Sequence, residues 1–198
     1  MLSKLTCNFS DEYGTVIKKW RKIVNRYSGH STVWHDQLQD AIKAWQKKKD
    51  PSKTPMGHEL QRDCKIKWGS LVTSLESGTK IREVLVDFLK YSTLALTEEE
   101  WDTMEELVEI LGPCKVVIEA ICQTDADLFD AEISFKWLFQ TLESNPSPLA
   151  KELLKSFKKE IGKRWNPDLA GLLKYLYDPQ THPPSKKRKT KGKYLMIL

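Results

Sequence analysis

With 198 residues, 40% of them hydrophobic and 30% charged, the chain can bury one core and carry tails, but it falls short of two comfortable domains. No apolar run reaches membrane-spanning length, and the opening residues MLSKLTCNFSDEYGTV lack the basic start and apolar stretch of a signal peptide. These features predict no membrane partner and an intracellular chain whose Cys7, Cys64, Cys114 and Cys122 stay reduced. None of the cysteines forms a C-x-x-C and no Cys/His cluster has zinc-site spacing, so neither a metal nor another cofactor is expected. The net charge of +5 is segregated: residues 1–67 carry +7, residues 68–184 carry −8, and the tail from 185 carries +6. Basic ends around an acidic middle suit contact with a polyanion at the ends, whereas charge runs that are merely solvated helix faces would give the same count.

In chain order, Ser10 with Asp11 and Glu12 predicts a helix start, and Val16, Ile17, Trp20, Ile23, Val24 and Tyr27 repeat at helical spacing up to Gly29. Ser31 opens a second helix through Trp34, Leu38, Ala41, Ile42 and Trp45, closed by Lys47, Lys48 and Lys49 where cations suit the dipole. The stretch DPSKTPMG, residues 50–57, holds two prolines and a glycine and predicts an exposed, mobile loop. Trp68, Leu71, Val72 and Leu75 line the next helix, and Ile81, Val84, Leu85, Phe88 and Leu89 line another. In LALTEEEW, Thr97 and Glu100 form a capping box, while Leu96 and Trp101 stand at the positions of a hydrophobic staple. That helix continues to Ile121 with Pro113 inside it, where a kink or break is expected.

Asp130 is the expected cap of a helix carrying Ile133, Trp137, Leu138 and Leu142. Ser147-Pro148 and Asn166-Pro167 each pair a cap with a first-turn proline, opening helices through Leu149, Leu153, Leu154, Phe157 and Ile161, then Leu169, Leu172, Leu173 and Leu176. No sustained period-two strand occurs. The reading is all-α, about eight amphipathic helices in an irregular bundle, over residues 1–179, with a disordered basic tail over 180–198. Trp20, Trp34, Trp45, Trp101 and Trp137 all fall on apolar stripes, and core is the expectation for each.

Four segments, in this order, carry a family resemblance. VIKKWRKIVNRYSGHST is similar to the K-V-R-x-I-V-x-x-F-x-x-S stretch of hAT (hobo/Activator-type) transposases, and DCKIKWGS resembles their D-x-x-T-R-W-N-S segment. LTEEEWDTMEELVEILGP resembles their LT-x-x-E-W segment with its I-L-x-P helix, and LLKYLYDP looks like L-A-x-x-L-D-P. The resemblance covers roughly residues 15–180 and implies the α-helical insertion that interrupts the family's ribonuclease H-like catalytic core. It places the two catalytic Asp before this chain and the catalytic Glu after it, which implies a non-catalytic piece of a truncated or domesticated transposase. The carboxylates needed to hold paired metal ions are thereby missing.

Carried over residue by residue, the family's Arg-Trp pair falls on Lys67 and Trp68, flanked by Asp63 and Ser70. The resemblance implies that Trp68 stacks on a single-stranded or flipped DNA base and that Lys67 meets phosphate. Lys67 in place of arginine loses the bidentate fork, and Gly69 replaces the family's asparagine. On periodicity alone Trp68 is equally the first apolar residue of its helix. No Ser/His/Asp, Cys/His or phosphate-loop arrangement argues for an enzyme. The functional expectation is a nuclear scaffold or weak nucleic-acid-binding fragment, and the alternative is a protein-interaction module that binds a helical partner such as a full-length transposase or a related nuclear protein.

The tail PPSKKRKTKGK resembles a monopartite nuclear import signal centred on Lys186, Lys187, Arg188 and Lys189, which implies an import receptor as partner. The same composition also describes a basic tail with salt-sensitive affinity for any nucleic acid. A reporter fused to residues 180–198 is expected to accumulate in nuclei, and replacing Lys186, Lys187, Arg188 and Lys189 with Ala is expected to abolish this. Fluorescence microscopy of the two fusions decides the assignment.

Overall fold

The computed structural model describes residues 11–28, 32–64, 68–124 and 127–164, together with Tyr175. Within them the chain is all-helical: α1 (Asp11–Ser28), α2 (Thr32–Lys49), α3 (Trp68–Thr79), α4 (Arg82–Leu89), α5 (Glu98–Ile121), α6 (Leu128–Ser144) and α7 (Pro148–Arg164). The expected caps at Ser10, Ser31 and Asn166, the helix stop at Gly29 and the basic tail lie outside the described residues. So does the stripe Leu169, Leu172, Leu173 and Leu176, although Tyr175 beside it is helical.

α5 is the spine, packing against α3 and α6 and touching α1. α7 lies on α6, while α2 packs against α1 and α4. The α1 stripe read from the sequence is the α1 contribution to the core: Val16, Ile17, Trp20, Ile23, Val24 and Tyr27 are all buried. α5 adds Trp101, Met104, Leu107, Ile110, Leu111, Cys114 and Val117 to the same cluster.

At the start of α5, Thr97 Oγ1 accepts from Glu100 N at 3.2 Å and Glu100 Oε2 accepts from Thr97 N at 2.8 Å, so the capping box forms as predicted. Pro113 does not break the helix. α5 runs without interruption from Glu98 to Ile121, because Ile110, Leu111, Cys114 and Val117 on both sides of the proline are buried and hold the two halves in one core.

The start of α6 differs from expectation. Asp127, not Asp130, is the N-cap: its carboxylate accepts from Phe129 N at 2.7 Å and from Asp130 N at 2.8 Å. Asp130 returns the bond by accepting from Asp127 N at 3.2 Å, which completes a second capping box. At α7 the predicted cap holds, with Ser147 Oγ accepting from Leu149 N at 3.1 Å and Pro148 as the first helical residue.

The tryptophans divide into three groups. Trp20 and Trp101 are fully buried, and Trp34 and Trp45 are half-buried against the core. Trp137, expected in the core, is 46% exposed together with Ile133 at 51%. These two stand four residues apart on the outer face of α6, while Leu138 and Leu142 take the inner one.

Trp20 fills the space beside Gly78. Its indole N–H donates to Ser74 Oγ at 2.9 Å, and its six-membered ring lies so near Gly78 that a Cβ there would stand 2.2 Å from the ring. Both partners are on α3, and Trp20 has no exposed surface to retreat into. Gly78→Ala is therefore expected to cost at least about 2–3 kcal/mol. Gly14, on α1 with nothing within 4 Å of its would-be Cβ, is the contrasting site. Gly14→Ala should stabilise by about 0.5–1 kcal/mol through helix propensity. Urea unfolding of both variants checks the opposite signs.

Candidate nucleic-acid interface

The segment 58–64 crosses from α2 to α3 in extended form, anchored by the buried Leu60. Its backbone polar groups are met from both sides. His58 N donates to Gln39 Oε1 at 3.2 Å, and Gln61 N donates to Ser77 Oγ at 3.0 Å. The His58 ring meets Ser77 O through Nε2 at 2.6 Å, so Nε2 carries the proton.

Asp63 and Ser70, two of the four residues singled out by the family resemblance, both make local structural contacts. Asp63 Oδ2 accepts from Arg21 Nε at 2.7 Å and lies 2.5 Å from Arg21 Nη2, a forked ion pair that ties the segment to α1. With the carboxylate only 12% exposed, this pair is screened less than a surface bridge. Ser70 Oγ accepts from Cys64 N at 2.7 Å and donates to Cys64 O at 3.0 Å, closing the chain from 64 to 70 into a loop. Residues 65–67 within that loop, Lys67 among them, lie outside the described residues. Trp68 is the first residue of α3, as the spacing predicts, and its side chain is likewise outside them. Lys186, Lys187, Arg188 and Lys189 also fall outside.

A polar hub that no spacing announces sits above this segment. Tyr27 Oη donates to Glu59 Oε2 at 2.9 Å, and Gln39 Nε2 donates to Tyr27 Oη at 2.6 Å and to His58 O at 2.8 Å. Burial, followed by the Glu59 carboxylate, pushes the Tyr27 phenol up to about 12, so it stays a neutral donor. The His35 ring packs 5.0 Å from Tyr27, with Nδ1 at 3.2 Å from Asp36 and Nε2 at 3.4 Å from Glu59. Its bond to Asp36, helped by Glu59, raises its pKa above the ordinary histidine value. Three segments of sequence converge here, so no local pattern could have disclosed the hub.

The cations of the front half face outward. Lys18, Lys22 and Arg26 recur at four-residue intervals along α1, and Lys43, Lys47, Lys48 and Lys49 mark the C-terminal half of α2; all seven are exposed. Arg26 rests its guanidinium 4.8 Å from the Trp34 ring. Three acids of the same half are engaged, Asp63 by Arg21, Glu59 by Tyr27 and His35, and Asp50 by Lys53 at 3.0 Å, while Glu12, Asp36 and Asp40 are exposed. On α5 the sign reverses, with Glu98, Asp102 and Glu105 gathered around the single Arg82.

Among the described residues no three His, Cys, Asp or Glu side chains come close enough to hold a metal ion. Cys114 is buried, which pushes its thiol up to about 12 and leaves it without thiolate at neutral pH. No protein-family model matches this sequence, and no curated protein or solved structure matches the chain, so the likeness to hAT transposases rests on its four sequence segments.

The Arg21–Asp63 pair yields a direct test of what Asp63 does. Arg21→Ala and Asp63→Ala are each expected to destabilise by about 1.5–3 kcal/mol, because a partly buried charge loses its partner. The double variant should lose clearly less than the sum of the two. Additive losses in a double-mutant cycle would free Asp63 from a structural role.

Proposed function

We propose that this chain is a non-catalytic helical domain of hAT-transposase type, acting in the nucleus as a scaffold that binds nucleic acid weakly through its basic front half. The observation that supports this reading is the asymmetry of charge use. Seven cations on α1 and α2 are exposed and outnumber the exposed acids of the same helices, Glu12, Asp36 and Asp40, whereas Asp50, Glu59 and Asp63 are tied to neighbouring side chains. Phosphate contacts supply most sequence-independent affinity, and the excess of cations on this surface offers them. In this proposal Lys67 and Trp68, at the start of α3, add a phosphate contact and a stacked base, and the basic tail delivers the domain through an import receptor.

A second reading follows from a different surface. Ile133 and Trp137, one turn apart and both roughly half-exposed on α6, form a small apolar patch that suits a helical protein partner, which would make the chain an interaction module.

Titration of a labelled single-stranded oligonucleotide, followed by anisotropy at several salt concentrations, tests the first reading. Binding should weaken steeply with salt, and the triple change Lys18→Gln, Lys22→Gln, Arg26→Gln should reduce affinity by about ten-fold and flatten the salt slope by about 0.7 per lost contact. Trp68→Ala should cost about ten-fold if its ring takes a base. Affinity that ignores both salt and these substitutions, alongside a Trp137→Asp change that abolishes capture of a helical partner, would favour the interaction module.

A further inference from the structure

At the end of α2 the chain turns back on itself and leaves a cleft of about 510 Å³. The turn is built in, not loose. Asp50 N donates to Gln46 O at 2.9 Å, and Met56 N donates to Gln46 Oε1 at 2.7 Å, so one glutamine holds both ends of the 50–56 loop. One wall is the Trp45 ring, whose N–H donates to Glu83 Oε2 at 2.7 Å and is thereby fixed in orientation. Pro55 and Met56 form the opposite wall, and Met56 is 73% exposed, which is unusual for an apolar side chain in a tied-down loop. Lys49 and Lys53 stand at the rim.

We propose that this cleft is a second nucleic-acid site, which takes one unpaired base of a single strand between Trp45 and Met56 while Lys49 and Lys53 hold the flanking phosphates. The inference rests on the nucleic-acid reading above and adds to it a place and a preference for single strands. Three features point to this occupant. The volume lies in the range of pockets that enclose a small planar group. The walls are an aromatic face and a thioether, both of which accept a base face whatever its sequence.

The cleft also holds two cations, Lys49 and Lys53, for the phosphates that a strand brings with every base, with Asp50 as the carboxylate in its lining. Two contacts must give way, and both are weak. Lys49 Nζ sits 4.7 Å from the Trp45 ring centre, an exposed ammonium–ring contact that a stacked base outcompetes while releasing the ammonium to phosphate. Lys53 bonds Asp50 through an 81% exposed side chain and can exchange that partner for phosphate at little cost.

The test uses the full chain with a fluorescent oligothymidine, a duplex of equal length, and an oligothymidine in which one base is 5-iodouracil. Met56→Asp places a carboxylate in the cleft from a side chain that lies outside the core, and Lys49→Gln with Lys53→Gln removes the rim charge. Each is expected to weaken single-strand binding by about ten-fold and to leave duplex binding within two-fold. Irradiation of the iodinated strand should cross-link it to Trp45 or Met56, a readout that needs no variant. Binding that persists unchanged in both variants with cross-links elsewhere would overturn the cleft while leaving the proposed function intact. Absence of any oligonucleotide binding at low salt would overturn both. An acidic peptide carrying one aromatic residue that occupies the cleft in preference to the strand would also overturn the proposal.

Discussion

The contact between the Trp20 ring and Gly78 is the constraint on which the described fold turns. It lets α1 approach α3 to the distance of a ring lying on bare backbone, and α3 presses its other side on α5, the spine of the bundle. Ser74, one turn before Gly78, accepts the indole N–H, so the same helix supplies both the gap and the hydrogen bond. Either half alone would be costly: a large ring without the glycine would clash, and a buried N–H without the serine would go unpaired. Because Trp20 points inward, the helical period turns Lys18, Lys22 and Arg26 toward solvent. The orientation of the basic stripe is thus a consequence of the core.

Charge segregation along the sequence becomes, in three dimensions, a difference in how charge is used. In the front half, Asp50, Glu59 and Asp63 are absorbed by contacts that hold the 58–64 segment and the α2 turn in place, and the exposed cations outnumber the exposed acids. On α5 the roles invert, since Arg82 alone serves three carboxylates and the acids are in excess. Lys19 and Glu100, 2.6 Å apart, join the two regions with one opposite-sign pair.

What was legible in the sequence was local. The α1 stripe, the Thr97–Glu100 box and the Ser147-Pro148 start each depend on residues a turn or two apart, and each stands where the spacing puts it. The misreadings have physical reasons. TDADLFD offers several acids able to cap, and only the backbone direction at Asp127 selects among them. Trp137 shares its helical period with Leu138 and Leu142, but the stripe is wider than the face that α5 and α7 cover, so its edge stays outside. Pro113 removes one donor from a helix that packing keeps in one uninterrupted run, so the break does not occur.

Of the candidate site, the family resemblance named Asp63 and Ser70 but not that Asp63 belongs to Arg21, forty-two positions earlier. The Tyr27–Gln39–Glu59 hub and the Trp45 cleft arise from segments that meet only after folding. Periodicity has no access to either.

The two capping boxes have an effect beyond starting their helices. A helix beginning presents unpaired amides to solvent and attracts anions such as phosphate. At α5 and α6 the side chains of Thr97 and Asp127 already occupy amides of the first turn, and Glu98, Glu99, Glu100 and Asp130 surround them with negative charge. A polyanion diffusing around this domain is therefore refused at two of the places where a helical protein would ordinarily retain it. On the proposed nucleic-acid reading, exclusion here directs a strand toward the basic front half as much as attraction does there.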